Sequence, residues 1–163
     1  ACRMRSDMLN KSSNSYGGKR RKVEHINNSR ALTRTLTDDE SGALFIIDMS
    51  AVDNNVTLTL PTAAGSEGVF FEFCYAANCD DDADFAITTG ADGTDIYGYV
   101  VRGAANSTVT DVDGLSKIVV DGSASQSTEG LRLSLFCDGT NWHLSGYSSV
   151  AVGTALITES ATA

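Results

Sequence analysis

The sequence predicts an all-β protein, a jelly-roll-like β-sandwich of about eight short strands preceded by an extended basic N-terminal arm. Short runs of alternating apolar and polar residues, separated by turn residues, predict the body. The arm is predicted from charge: the first 37 residues hold nine bases and two acids, whereas residues 38–163 hold three bases and nineteen acids. We therefore divide the chain into a basic arm, 1–37, and an acidic body, 38–163. No segment has a convincing helical period. A small β-barrel is the alternative architecture.

The arm has little hydrophobic periodicity. Ser, Asn, Gly and bases dominate residues 1–28, so this stretch buries too little apolar area to offset an ordering entropy of about 1–2 kcal/mol per residue. The run of bases at 19–22 favours an electrostatic function, and a solubilising terminus is the alternative. We expect the arm to tether the body to a partner. The candidate tether residues are Arg3, Arg5, Lys11, Lys19, Arg20, Arg21, Lys22, Arg30 and Arg34.

The body reads as a series of short strands. Alternation in 56–60 predicts that Val56, Leu58 and Leu60 share a buried face, and Pro61 follows where its missing N–H costs no ladder hydrogen bond. The strand candidates in chain order are 43–49, 56–60, 68–76, 85–88, 95–102, 117–120, 131–137 and 142–147. Turns are predicted at Ala64-Gly65, Asp92-Gly93, Asp113-Gly114 and Asp121-Gly122.

The last two candidates predict a β-hairpin. Both 131–137 and 142–147 alternate, and the loop 138–141 between them contains an Asp-Gly pair suited to positive φ. The pattern places Trp142 inward and His143 outward.

Two strands, 68–76 and 95–102, are apolar on both faces. A sandwich strand needs only one covered face, so a loop, the arm or a neighbouring subunit should cover the other. We favour an oligomer, with a homotrimer as the first choice. The interface candidates are Phe70, Tyr97, Tyr99 and Val101.

The sequence favours neither an enzyme nor a metalloprotein. Its histidines are His25 and His143, and it has no nucleophile elbow or phosphate-binding glycine loop. The spacing of Cys74 and Cys79 suits neither a redox motif nor a zinc knuckle. We predict no catalytic residue, cofactor or metal. Acidic turns at 80–84, 92–95 and 111–114 could supply calcium ligands, but Asp-Gly pairs are ordinary turn chemistry and no complete calcium loop is present.

Nucleic-acid binding and membrane insertion are not expected either. The net charge of −9 repels phosphate, and the apolar stretches fall short of the roughly 20 residues that a membrane-spanning helix needs. A secretory signal is not evident.

A series of motifs follows along the body: LTRTLTDDESG at 32–42, LFIID at 44–48, VTLTLPT at 56–62, GVFFEF at 68–73, DIYG at 95–98 and DGTNWHLSG at 138–146. Together they resemble a family of small virion proteins of tailed bacteriophages, common among marine phages, that decorate or cement the capsid. The resemblance covers about residues 32–158, and residues 1–30 have no counterpart in it.

The resemblance implies a jelly-roll-like fold, assembly in trimers and a position on the capsid exterior after synthesis in the host cytoplasm. It also implies that the chain stabilises the shell by burying surface between subunits of the major capsid protein. The arm would then lie on an acidic shell, where charge complementarity gives orientation and fast docking. The alternatives are a tail-fibre or receptor-binding β module that contacts glycans, and an accessory virion protein whose arm binds DNA. Tyr16 is the single aromatic residue of the arm, which argues against stacking on single strands.

Overall fold

The computed structural model describes residues 21–27, 32–50, 54–77, 83–89, 94–102, 109–120, 129–148 and 157–159. These residues form two sheets that pack face to face. The strands are β1 (Val23–Ile26), β2 (Leu32–Thr35), β3 (Leu44–Asp48), β4 (Val56–Thr59), β5 (Phe70–Ala77), β6 (Phe85–Thr88), β7 (Ile96–Arg102), β8 (Val109–Leu115), β9 (Lys117–Val120), β10 (Arg132–Cys137), β11 (Trp142–Ser148) and β12 (Ile157–Glu159). The only helical element in these ranges is a 3₁₀ turn at Asp38–Glu40.

The seven-stranded sheet has the order β1-β3-β5-β10-β11-β7-β8, and the five-stranded sheet has the order β12-β9-β6-β4-β2. From β1 to β6 the chain alternates between the two sheets, so that β1, β3 and β5 are parallel neighbours, as are β2, β4 and β6. The first half of the chain thus winds as a coil, and each turn of this coil contributes one strand to each sheet. Antiparallel pairs, including the β10–β11 hairpin, complete the five-stranded sheet and, together with the parallel β11–β7 pair, the seven-stranded sheet.

The core lies between the sheets and is rich in aromatic side chains. Phe45 stacks on Phe73 with ring centroids 5.4 Å apart, and Phe71 stacks on Trp142 at 5.8 Å. Phe85, from the opposite sheet, lies 6.0 Å from Phe73. All five side chains are buried, so the inward positions of the alternating runs form one continuous core.

The predicted β-sandwich is confirmed, and each of the eight predicted strands is present. The predicted loop 138–141 joins β10 to β11, and the residues around Ala64-Gly65 form a turn. The sequence left the strand order open. The observed order includes parallel pairs, because a chain that crosses to the other sheet after each strand returns to the first sheet in the same direction.

Four strands were not predicted: β1, β2, β8 and β12. Within the segment 1–37 that the sequence assigns to the arm, β1 pairs with β3 and β2 pairs with β4. Residues 1–20 and 28–31 of this segment lie outside the described residues.

The turn predicted at Asp113-Gly114 is wrong. Both residues lie within β8, where the register against β7 shifts between Ile96 and Gly98. Gly114 has a φ of +69°, which allows the extra residue of the bulge. The turn pairs at 92–93 and 121–122 lie outside the described residues.

Candidate functional site

Exposed apolar side chains gather on the outer face of the seven-stranded sheet, the face that points away from the five-stranded sheet. Single apolar side chains on a surface are ordinary, but several on one face mark a contact surface. In the described part of the chain, the exposed large apolar residues are Val23, Phe70, Tyr99, Val109, Phe136 and Tyr147, and all six belong to this sheet.

The four predicted interface residues also lie on this outer face. Phe70 and Tyr99 are exposed, with 41% and 50% of their surface accessible, while Tyr97 and Val101 are half-buried. Each alternates with a buried residue of β5 or β7. The structure brings them together on one surface, and their part in an oligomer stays a prediction.

One end of the outer face carries an aromatic row, defined as Phe70, Phe136, His143 and Tyr97. These residues are consecutive cross-strand neighbours on β5, β10, β11 and β7. The rings of Phe136 and His143 have centroids 6.5 Å apart. The Tyr97 hydroxyl donates to Asp95 at 3.4 Å, and the negative charge of that carboxylate raises the pKa of Tyr97. The row places two phenylalanine rings beside an imidazole and a phenol on one end of the outer face.

Next to the aromatic row lies an open trough of about 280 Å³. On β10 and β11, Arg132 is opposite Tyr147 and Ser134 is opposite Ser145. Tyr99 on β7 is the next neighbour of Ser145. The two serines form a low floor between the larger side chains, and the trough therefore presents hydroxyls, a guanidinium and two tyrosine rings together.

The trough ends at an ion pair. Arg21 donates to Glu72 at 2.5 Å and to the carbonyl oxygen of Gly42 at 2.6 Å. Glu72 is the cross-strand neighbour of Ser134. The first described residue of the chain is thus fixed at the edge of the trough, and the charge of Glu72 is compensated within the protein.

A charged cluster, defined as Lys22, Glu24, Arg34 and Glu40, closes the edge of the core beside β1 and β2. Lys22 lies 3.0 Å from Glu40 and 3.6 Å from Glu24, and Arg34 donates to both carboxylates. The Arg34 guanidinium also lies 5.9 Å from the centroid of the Phe45 ring, within cation–π range. The cluster joins the edges of the two sheets.

Glu40 is the centre of this cluster, with a side chain only 11% exposed. Burial alone would raise the pKa of Glu40, but the hydrogen bonds from Lys22 and the Thr37 N–H, with the charge of Arg34, outweigh burial and lower it. The Thr37 N–H and hydroxyl donate to Glu40 at 3.0 and 3.2 Å. Because this carboxylate's pKa is depressed by folding, its stabilising effect is present above the unfolded pKa and is lost as pH falls through the folded one.

These contacts change the interpretation of the predicted tether. Arg21, Lys22 and Arg34 form ion pairs within the body. The other six predicted tether residues lie outside the described residues: Arg3, Arg5, Lys11, Lys19, Arg20 and Arg30.

Replacing Glu40 by glutamine is expected to destabilise the protein by about 2 kcal/mol, because Lys22 and Arg34 lose their shared carboxylate. The measurement is the urea midpoint at pH 7. Asp39→Asn, at an exposed neighbour in the same turn, should change the midpoint little. Equal midpoints for the two variants would contradict the central role of Glu40.

The β10–β11 turn holds a second polar arrangement. Asp138 accepts hydrogen bonds from the N–H groups of Asn141 and Thr140, at 2.7 and 2.8 Å, and contacts His143 Nε2 at 2.7 Å. Hydrogen bonds from the Asn141 N–H, from His143 and from the Thr140 N–H lower the pKa of Asp138 to about 2. This carboxylate fixes the turn and orients the imidazole of the aromatic row.

The depressed pKa predicts a pH dependence. Because the folded value lies below the unfolded value, the carboxylate stabilises the fold above about pH 4, and this contribution is lost between about pH 4 and pH 2. Thermal unfolding measured from pH 7 to pH 2 should show that Asp138→Asn melts at a lower temperature than the unchanged protein at neutral pH. This difference in melting temperature should shrink between about pH 4 and pH 2. Glu129→Gln, at an exposed position, is the control, and a deficit that stays constant with pH would contradict the assignment.

The two cysteines within the described residues lie on opposite faces of the seven-stranded sheet. Cys137 is buried on the core side of β10, whereas Cys74 is half-buried on the outer face. The described ranges contain no group of three or more His, Cys, Asp or Glu side chains arranged to hold a metal ion. Cys2, Cys79 and the acidic residues at 80–82 and 92 fall outside those ranges.

Sequence reasoning missed Phe136, Tyr147 and Arg132. The signal was present, because all three occupy the outward positions of the predicted hairpin strands. Nothing in the sequence, however, shows that β7 pairs with β11, and it is this pairing that brings Tyr99 beside the hairpin.

Comparisons with family models, with curated proteins and with solved structures find no match to this chain. Within the described residues, no helix has the length and apolar character needed to cross a membrane.

Proposed function

We propose that this chain is a structural protein of a tailed-phage virion that decorates and cements the capsid shell. The observation that carries the proposal is the aromatic row, a strip of rings that crosses four adjacent strands. Phe70 and Phe136 are 41% and 46% exposed there. Such a strip loses its contact with water when a partner covers it, which is how a cement protein stabilises by buried area.

The motif series along residues 32–158 supports the same function, because it resembles small capsid-decorating proteins. We propose the major capsid protein as partner, a homotrimer as the assembled form and the capsid exterior as the location. The six predicted tether residues outside the described ranges, Arg30 among them, would contribute electrostatic docking.

The test is co-sedimentation of the full chain with tailed-phage capsid shells stripped of their outer proteins. The double variant Phe70→Ser/Phe136→Ser should bind the shells at least about tenfold more weakly, because the aromatic row is the contact. Val119→Ser, on the outer face of the five-stranded sheet, is the matched control. Undiminished binding of the double variant would reject the aromatic row as the docking surface.

A parallel experiment tests whether the bases of the arm contribute to shell binding. Replacing Lys11, Lys19 and Arg20 by serine in the full chain should weaken shell binding most at low salt, since screening removes the same contribution at high salt. If the protein co-sediments with DNA but not with shells, the accessory DNA-binding function replaces capsid decoration as the proposal.

A receptor-binding β module is the second candidate. The specific observation in its favour is the trough, which brings two serine hydroxyls, a guanidinium and two tyrosine rings together on the sheet face.

A further inference from the structure

We propose that the trough on the outer face of the seven-stranded sheet binds a short neutral oligosaccharide. This inference does not depend on the capsid function, because it rests on side chains outside the aromatic row. The proposed glycan site lies on the face of the sheet and not in the loops.

The first argument is the spacing of polar groups. Arg132 and Tyr147, and next to them Ser134 and Ser145, are opposite pairs across antiparallel strands, so their Cβ atoms lie about 4.5–5.5 Å apart. Along each strand the two positions are about 7 Å apart. These four Cβ positions bound the middle of the trough, whose volume of about 280 Å³ accommodates one or two sugar rings.

The second argument is that these polar groups are available. Within the described residues, the side chains of Arg132, Ser134, Ser145, Tyr99 and Tyr147 make no hydrogen bond or ion pair. Each hydroxyl can donate and accept, and the guanidinium offers five donors. A ligand with many hydroxyl groups satisfies such a set, whereas an apolar ligand leaves it unpaired.

The third argument is the pair of tyrosines. Tyr99 and Tyr147 lie on adjacent parallel strands and are each 50% exposed. An exposed aromatic ring gives the apolar C–H face of a pyranose a surface to pack on, while the phenol at its tip stays in water. The combination of stacking rings with convergent hydroxyls is the chemistry that sugars require.

Charge selects an uncharged ligand. Glu72 at the end of the trough is paired with Arg21, which leaves Arg132 as the uncompensated charge. The chain as a whole carries −9, so its long-range field repels anionic glycans. In this proposal Arg132 serves as a hydrogen-bond donor to sugar hydroxyls.

The experiment is a screen of the full chain against neutral oligosaccharides of glucose, galactose, mannose and N-acetylglucosamine, and against sialylated and uronate-containing ones. Saturation-transfer NMR detects binding, and titration calorimetry measures Kd. We expect at least one neutral oligosaccharide to bind. Tyr147→Ala and Arg132→Ala should each weaken it about tenfold, while Phe136→Ala, in the aromatic row, should leave Kd within about twofold.

All three replaced side chains are exposed, and an unchanged melting temperature verifies that each variant is folded. The proposal is overturned if no neutral oligosaccharide binds at millimolar concentration, if binding is confined to anionic glycans, or if it survives both trough variants. Shell binding distinguishes the two proposals, because it should be lost in the Phe70/Phe136 double variant and retained in Tyr147→Ala.

Discussion

Replacing Gly98 by alanine is expected to destabilise the protein by more than about 4 kcal/mol, enough to prevent folding of a typical domain. A Cβ at this position would lie 1.9 Å from the carbonyl oxygen of Leu144 and 2.7 Å from its carbonyl carbon, both backbone atoms of β11. The backbone φ of +147° adds strain for any L side chain. β7 and β11 would have to separate where their pairing places Tyr99 beside the hairpin.

The matched control is Gly65→Ala. Gly65 also has a positive φ, +95°, but no atom lies within 4 Å of its added Cβ. This variant isolates backbone strain and should lose only about 1–2 kcal/mol. Urea unfolding followed by circular dichroism measures the stability of both variants. If Gly98→Ala does not fold, its soluble yield is compared with that of Gly65→Ala instead. Similar stabilities for the two variants would show that the close approach to Leu144 costs nothing.

Replacing Trp142 by alanine is expected to cost about 3–5 kcal/mol, because its fully buried side chain stacks on Phe71 in the core. Trp142→Phe should cost far less, about 1 kcal/mol. The buried indole N–H has no hydrogen-bond partner within the described residues, so phenylalanine keeps an aromatic ring and removes an unpaired donor.

Thermal unfolding by circular dichroism ranks the two variants against Phe136→Ala. Phe136 is 46% exposed, and its loss should shift the melting temperature little. If Trp142→Phe were as unstable as Trp142→Ala, the indole N–H would have to make a stabilising contact.

The fold class was predictable because burial imposes a period of two on every strand with one covered face. In β10 and β11 that alternation is complete, and the hairpin follows from the Asp-Gly loop between them. β1 has a single buried residue, Ile26, among charged and exposed neighbours. Its strand depends on pairing with β3 and on ion pairs to distant carboxylates, which local sequence does not encode.

The candidate site was predictable only in part. Two-faced strands pointed to Phe70 and to the tyrosines of β7, because several apolar residues on one uncovered face are typical of a contact surface. The trough forms only because particular strands are neighbours in the sheet. The alternation of apolar and polar residues predicts which face a residue occupies, but it does not predict which residues lie beside it. Arg132 was therefore visible as an outward base but not as a member of a site.

The coil formed by β1 to β6 begins with two strands, β1 and β2, that each lack a neighbour on one side among the described residues. An open end of this kind is a growth point, because another chain's strands can continue both ladders at once. Repeat folds prevent such polymerisation with a polar terminal layer. The charged cluster occupies this end, and any molecule that stacked there would have to strip water from Lys22, Glu24 and Arg34. The same ion pairs that hold β1 and β2 in place therefore oppose the addition of another chain's strands at this edge.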